Sequence, residues 1–272
     1  MKVIKRLFLL ESRSDEFRLH IFGDTHLGSK SVAEHLLKKH IEEVRESGDY
    51  WCHVGDAIDG ILPGDRRFKS DNVADWAWDA LRSEKLIEAE WNEFERIFDP
   101  IKDKCLFVLS GDGKHNICGN VANCMQTTLE RMNIPGGSPL VYYAFQFKRS
   151  SQAVTRMDVV FHHGWFSGRK HGGKANNLVD ALAIYPKAWG FFCGHGHTKH
   201  QERIDSLRLE GDHIKQWVRR SAMTGSYLKT YDENTTGYGE VKGYSPAGLG
   251  RITAVMRPYV PEEEKMIEVE NA

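Results

Sequence analysis

Five short segments of the 272-residue chain carry side chains able to hold divalent cations and move protons. In chain order they are Gly23-Asp24-Thr25-His26, Gly55-Asp56-Ala57-Ile58-Asp59, Gly111-Asp112-Gly113-Lys114-His115-Asn116, His162-His163-Gly164 and Gly194-His195-Gly196-His197. Each alone is weak, because an Asp or His at a strand end serves equally well as a turn former or polar cap. Together they supply a mixed set of carboxylates and imidazoles, and the glycine beside each lets the backbone bend sharply and approach an ion. One carboxylate can bridge two divalent ions about 3.5–4 Å apart, a spacing at which both act on one phosphate. Oxygen and nitrogen donors without thiolate suit Mn, Fe, Zn, Ni or Co rather than a structural zinc site.

Bringing such a set together requires rigid elements that end at one rim. The chain between the motifs reads as alternating strands and helices, the pattern of an α/β layer. Residues 17–22 alternate and run into Gly23-Asp24, and residues 50–54 form a short strand ending in Gly55-Asp56. Between them a helix is predicted with Ser31 as N-cap, Glu34 three residues on, Leu37, Ile41 and Val44 on one face, and Gly48 as the stop. One long helix is predicted over 75–98, its tryptophans in the core and Ile87, Trp91, Phe94 and Phe98 on one stripe. Strands follow at 106–109, 141–147, 154–161 and 191–193, with a helix near 120–132. The tail adds strands at 214–222 and 250–256, separated by a Tyr- and Gly-rich stretch. The polar runs 65–71 and 167–174 read as surface loops, each just after a motif.

A composition of 40% hydrophobic and 28% charged residues suits a single domain over 1–272, its C-terminal part from about 210 completing a second sheet. A net charge of −1 argues against a surface built throughout for nucleic acid, while leaving room for local basic patches. The five cysteines, Cys52, Cys105, Cys118, Cys124 and Cys193, have no repeated pair spacing, so a secreted disulfide framework is not expected and a cytoplasmic location is. Cys118 and Cys124 lack the second close pair of a zinc knuckle. The apolar run at Phe8–Leu10 is too short for a signal peptide, and no stretch approaches membrane-spanning length.

The ordered blocks resemble the DxH, GDxxD, GNHD/E, HG and GHxH signature of the calcineurin-like metallophosphoesterases, spread over residues 24 to 197. The resemblance implies a four-layer α/β/β/α sandwich of two mixed β-sheets flanked by helices, with a binuclear centre at the carboxyl ends of the strands. It implies that Asp24, His26 and His197 hold a first metal, that Asp56 bridges, and that His163 and His195 hold a second. Two divalent ions are expected, Mn2+ foremost. His162 competes for the fourth-motif role, but the HG pairing favours His163. Asp59 is implied as a carboxylate that orients the ligands from behind.

The third motif departs from the pattern, with Lys114 standing where the family has Asn. Asn116 or Asp112 could supply the missing contact through a longer loop, or the second metal could be held more weakly; Asn116 is the favoured choice. His115 falls at the family's catalytic position, which implies that it protonates the leaving oxygen or stabilises phosphate charge. The stretch Gly225-Ser226-Tyr227-Leu228-Lys229 is similar to the endings of phage-type phosphoesterases, and the loop around 232–238 is expected to cap the site.

The resulting expectation is a hydrolase that cleaves a phosphate ester with two-metal-activated water, as a phosphodiesterase on a nucleotide or nucleic acid. The diester preference rests on that phage-like tail and on two basic loops, Arg66, Arg67 and Lys69 after the second motif and Arg169, Lys170, His171 and Lys174 after the fourth. The alternatives are a phosphomonoesterase or protein phosphatase, a non-catalytic scaffold of the same fold, which Lys114 favours and the retained carboxylates oppose, and a nucleic-acid-binding module with an incidental metal site. Replacing His115 with Asn is expected to lower turnover about 10²–10⁴-fold while bound metal is retained. Turnover equal to that of the parent chain would remove His115 from the mechanism.

Overall fold

In the computed structural model the hydrophobic alternation resolves into two mixed β-sheets stacked face to face. The structure describes residues 1–111, 119–149, 153–166, 170–233, 236, 238–261 and 265–272. In chain order the elements are β1 (Lys2–Leu9), β2 (Phe17–Phe22), α1 (Glu34–Ser47), β3 (Tyr50–His53), α2 (Trp78–Arg82), α3 (Leu86–Phe98), β4 (Cys105–Val108), α4 (Gly119–Arg131), β5 (Leu140–Lys148), β6 (Thr155–His162), α5 (His171–Ala183), β7 (Gly190–Cys193), β8 (His200–Glu210), β9 (His213–Met223), α6 (Tyr238–Val241), β10 (Ile252–Met256) and β11 (Ile267–Asn271). One sheet has the order β1-β5-β6-β7-β9-β8 and the other β11-β10-β2-β3-β4. The β2-β3-β4 and β6-β7-β9 runs are parallel, so the ends of β2, β3 and β4 lie along one edge of their sheet and those of β6 and β7 along one edge of theirs.

The period-2 pattern of each strand decides which layer it faces. Leu19, Ile21, Cys52 and Phe107 point between the sheets and meet Phe145, Val159, Phe161 and Phe192 from the other side. Their neighbours Phe22, Trp51 and Val108 point outward and pack under α1, α3 and α4 through Leu37, Ile41, Trp91, Phe94 and Phe98. On the opposite outer face Val160, Phe191 and Cys193 are covered by Leu178, Ala181 and Leu182 of α5. The result is the four-layer α/β/β/α sandwich. Each fully buried Phe or Leu contributes about 1.5–3 kcal/mol to holding the layers together, so the strand ends are fixed by a large apolar mass behind them.

Several expected elements differ. The first helix begins at Glu34 with Ala33 at its N-cap, not at Ser31. Ser31 O accepts from Lys229 N, Val32 bridges Leu228 and Ala33 N donates to Tyr227 O, so the tail holds this segment extended and the capping box does not form. The helix expected over 75–98 is broken into a 3-10 turn, α2 and α3, with Glu84 in the left-handed region at φ 60°. Trp91 is in the core as expected, whereas Trp76 is 40% exposed. The run 167–174 is not loop throughout, because α5 starts at His171. β1, β8 and β11 were not expected; all three are edge strands with one neighbour each, so they lack the continuous apolar signal of central strands. Among the described residues no helix is long and apolar enough to cross a membrane.

Candidate metal centre

β2, β3, β6 and β7 run into four of the five motifs and β4 runs toward Gly111, and backbone hydrogen bonds then join the first motif to the second and the fourth to the fifth. Asp24 N donates to Gly55 O, His26 N to Asp56 O and Gly194 N to His163 O. The loops approach so closely that a Cβ on Gly194 would lie 2.5 Å from Asp24 Oδ2, and one on Gly55 would lie 2.6 Å from His163 Nδ1. Glycine at these two positions is a steric requirement of the site.

Asp24, His26, Asp56, His195 and His197 all have positive φ, between 44° and 66°. Among the described residues the only other non-glycine residues with positive φ are Glu84 and Asn133. Left-handed backbone at an Asp or His is uncommon and costs of order 1–3 kcal/mol per residue. Its concentration on five motif residues shows that the surrounding fold aims these side chains at the expense of local comfort.

The side chains converge in two groups. In the first, His26 Nε2 lies 3.2 Å from His197 Nε2, and Asp24 Oδ1 lies 3.3 Å from His197 Nε2 and 4.0 Å from His26 Nε2. In the second, Asp56, His163 and His195 place one donor atom each within 4.8 Å of one another, and His163 Nε2 is 3.2 Å from Asp56 Oδ2. The groups interlock: the backbone N–H of His195, from the second, donates to both carboxylate oxygens of Asp24, from the first, at 2.8 and 3.1 Å.

This donor set fits a pair of divalent cations. Two imidazole nitrogens facing each other at 3.2 Å must share a proton or a cation, and the nearby carboxylate supplies the negative charge that a cation prefers. His163 Nδ1 donates to Val54 O at 3.0 Å, which leaves Nε2, facing Asp56, as the nitrogen that takes up either a proton or a cation. His26 Nδ1 lies 3.5 Å from Asp59 Oδ1, so Asp59 stands behind the His26 ring. In the metal-free chain burial opposes a charge on His163, but the charge and hydrogen bond of Asp56, with Asp24 and Val54 O, outweigh it and raise its pKa to about 9. Burial likewise works against the charged forms of Asp24 and His197, yet their mutual attraction holds Asp24 below the usual carboxylate range and His197 above the usual imidazole range. A cation entering the centre therefore replaces bound protons.

A layer of polar groups that the sequence did not single out supports these side chains. His53, fully buried, accepts from Gly55 N at 3.1 Å and meets Thr25 Oγ1 through Nε2 at 3.1 Å; Thr25 Oγ1 in turn donates to Ala57 O at 2.7 Å. Burial drives His53 down to about 3, so it stays neutral. Glu90 of α3 accepts from Gly60 N at 3.0 Å, and burial with Asp59 nearby raises its carboxyl well above the ordinary range. The tail is tied in at two points. Tyr227 N and Ser226 Oγ both donate to Asp24 O at 2.9 Å, and Gly248 N donates to His197 O at 2.9 Å, so the excursion between them is rooted on two residues of the first group.

The remaining sequence candidates are placed as follows. His162 is outside both groups: its Nδ1 accepts from Gly164 N at 2.8 Å, its ring packs edge-on against Trp165 and burial lowers it to about 4. Arg67 pairs with Asp65 at 2.7 Å, while Arg66 and Lys170 are exposed. Asp112, Lys114, His115, Asn116 and Arg169 lie outside the described residues.

No family model and no curated protein matches the chain. Similar solved structures include a predicted phosphoesterase from Streptococcus pneumoniae, 11% identical, covering 94% of this chain and 97% of that one with a TM-score of 0.34. YfcE, a phosphoesterase from E. coli, is 13% identical over 93% of this chain and 98% of its own, with a TM-score of 0.35. GAP50, the anchor in the inner membrane complex of Plasmodium, is 11% identical over 89% of this chain and 81% of its own, with a TM-score of 0.43. At these scores what the centre can do follows from its own atoms, not from the neighbours.

The buried neutral histidines give a pH dependence with a definite sign. Burial holds His53 at about 3 and, with Arg251 nearby, His40 at about 4, whereas the unfolded chain takes up these protons near 6.5. Their contribution is full above pH 6.5 and is lost as pH falls toward 4. In urea unfolding of chelator-treated protein, the midpoint should fall between pH 6.5 and 5, and by less in His40→Gln. A midpoint that rises on acidification across this window contradicts the assignment.

Proposed function

We propose that the chain is a divalent-metal-dependent phosphoesterase, acting on phosphodiesters of nucleotides or nucleic acid. The observation that carries this reading is the pair of interlocked Asp-His-His groups, Asp24-His26-His197 and Asp56-His163-His195, bound to each other through His195 N and Asp24. A structural zinc site needs one closed tetrahedron, usually with thiolates, and offers no reason to join two oxygen- and nitrogen-rich groups. Two adjacent groups suit an anionic substrate whose charge must be spread during reaction.

The two groups would hold two ions, Mn2+ foremost and Fe, Zn, Ni or Co as further options, with Asp56 in the bridging role and Asn116 completing the second set. When bound, such ions supply Lewis-acid polarisation of phosphoryl oxygens and make a water acidic enough to attack near neutral pH. The protein's own part is to hold the donors. Asp59 orients His26, Val54 O sets the tautomer of His163, and the Thr25–His53 pair keeps the two Asp-bearing loops in register. His115 is assigned the proton that the leaving oxygen requires. The preference for diesters rests on basic residues flanking the second and fourth motifs, above all those on the α5 side.

Bound metal per chain and hydrolysis of a chromogenic diester and monoester test the reading. The parent chain is expected to bind two ions and cleave the diester faster, and Asp24→Asn, which weakens one group and its hold on His195, is expected to lose about 10²-fold or more in turnover together with metal. Two bound ions without hydrolysis of either ester would instead assign the fold to a scaffold role.

A further inference from the structure

On the α5 side of the metal centre two side chains stand out. Trp165 follows His163-Gly164 directly and is 50% exposed. Its position is nonetheless fixed, by an edge-on contact with His162 at 4.8 Å and by contacts with Phe166 at 4.6 Å and Phe191 at 5.9 Å. A large rigid ring left half in solvent, two residues beyond His163, has no packing role for its open half. Lys174, on the first turn of α5, reaches the last motif, where its Nζ donates to Gly196 O at 3.2 Å and to Thr198 Oγ1 at 2.5 Å. Burial lowers its pKa, and among the described residues no carboxylate lies within ion-pair distance. Both contacts are neutral acceptors, and an ammonium has three N–H donors, so one remains for an anion.

Of the other basic residues beside the motifs, Arg67 is neutralised by Asp65, Lys69 donates to Thr236 O, Lys199 reaches the carbonyl of Ala272 at the far end of β11, and Arg66 and Lys170 are exposed. Lys174 is set against the loop that carries His195 and His197, and Phe166 belongs to the same apolar cluster as the buried face of α5. Aromatic ring and cation thus both stand against motif residues, Trp165 beside the fourth motif and Lys174 on the last. Base stacking on an aromatic ring combined with a cation on the backbone is how proteins hold single-stranded nucleic acid without reading its sequence.

We propose that this side is a nucleotide subsite, in which Trp165 stacks a base and Lys174 contacts the phosphate one linkage away from the bond that is cut. The inference rests on the phosphodiesterase reading above and deepens it, by giving the substrate a base and a second phosphate on the α5 side.

Three esters with the same leaving group test it: ethyl p-nitrophenyl phosphate, thymidine 5′-(p-nitrophenyl) phosphate, and the latter carrying a 3′-phosphate. Trp165→Leu is expected to raise KM for the thymidine ester about tenfold more than for the ethyl ester. Lys174→Met is expected to raise KM for the 3′-phosphorylated ester about tenfold more than for the unphosphorylated one, with Lys174→Arg recovering most of the loss. Bound Mn2+ per chain should match the parent in all three variants. Equal losses on every ester, or loss of metal in Lys174→Met, would overturn the subsite and leave the phosphodiesterase reading standing. A parent chain inert toward all three would overturn both.

Discussion

The arrangement depends on one buried carboxylate. Asp24 has no solvent exposure, sits at the end of the central strand β2 and is held on both its side chain and its backbone. Its oxygens accept the N–H of His195 and lie beside His197, which joins the two sheets across the top of the sandwich. Its carbonyl accepts from Tyr227 and Ser226, which anchors the tail. A charge so deeply buried is costly unless neutralised, and the histidines around it, with protons or with a cation between them, provide that neutralisation. The same carboxylate thus sets the register of the motif loops and creates the demand for positive charge.

Strain and support are distributed in a way that matches this demand. Five motif residues occupy left-handed backbone. The rest of the sandwich offsets that cost through the inter-sheet layer of Phe107, Phe145, Phe161 and Phe192 and through the helices packed on the outer faces. Immediately behind the ligands the groups are polar but satisfied: Thr25 and His53 bond each other and the backbone, and Glu90 closes on Gly60. The donors are therefore held close to one another, because the apolar layers hold the strand ends and the polar layer holds the loops.

Much of this was legible from the sequence, for specific physical reasons. Central strands such as β2, β3, β6 and β7 combine apolar runs with an abrupt Gly-Asp, His-Gly or Gly-His stop, so both the strands and the motifs at their ends could be read. The edge strands β1, β8 and β11 could not, because much of each faces solvent, whereas the edge strand β4 is buried throughout and was read; the β8–β9 hairpin nevertheless turns at Gly211-Asp212, a hairpin signal that was there to be found. α5 was hidden by Gly172 and Gly173 in its first turn, which read as loop, and with it the inward course of Lys174. Ser31 failed as a cap because residues 227–229, almost 200 positions later, hold it extended. His53 read as one more strand residue, and only its neighbours in space show that it links the first two motifs.

The central claim is that the two groups form adjacent cation sites. Anomalous diffraction from crystals grown with Mn2+ tests this most directly. The account predicts two peaks about 3.5–4 Å apart, one ringed by Asp24, His26 and His197 and the other by Asp56, His163 and His195. A single peak, or peaks away from these six side chains, would contradict it.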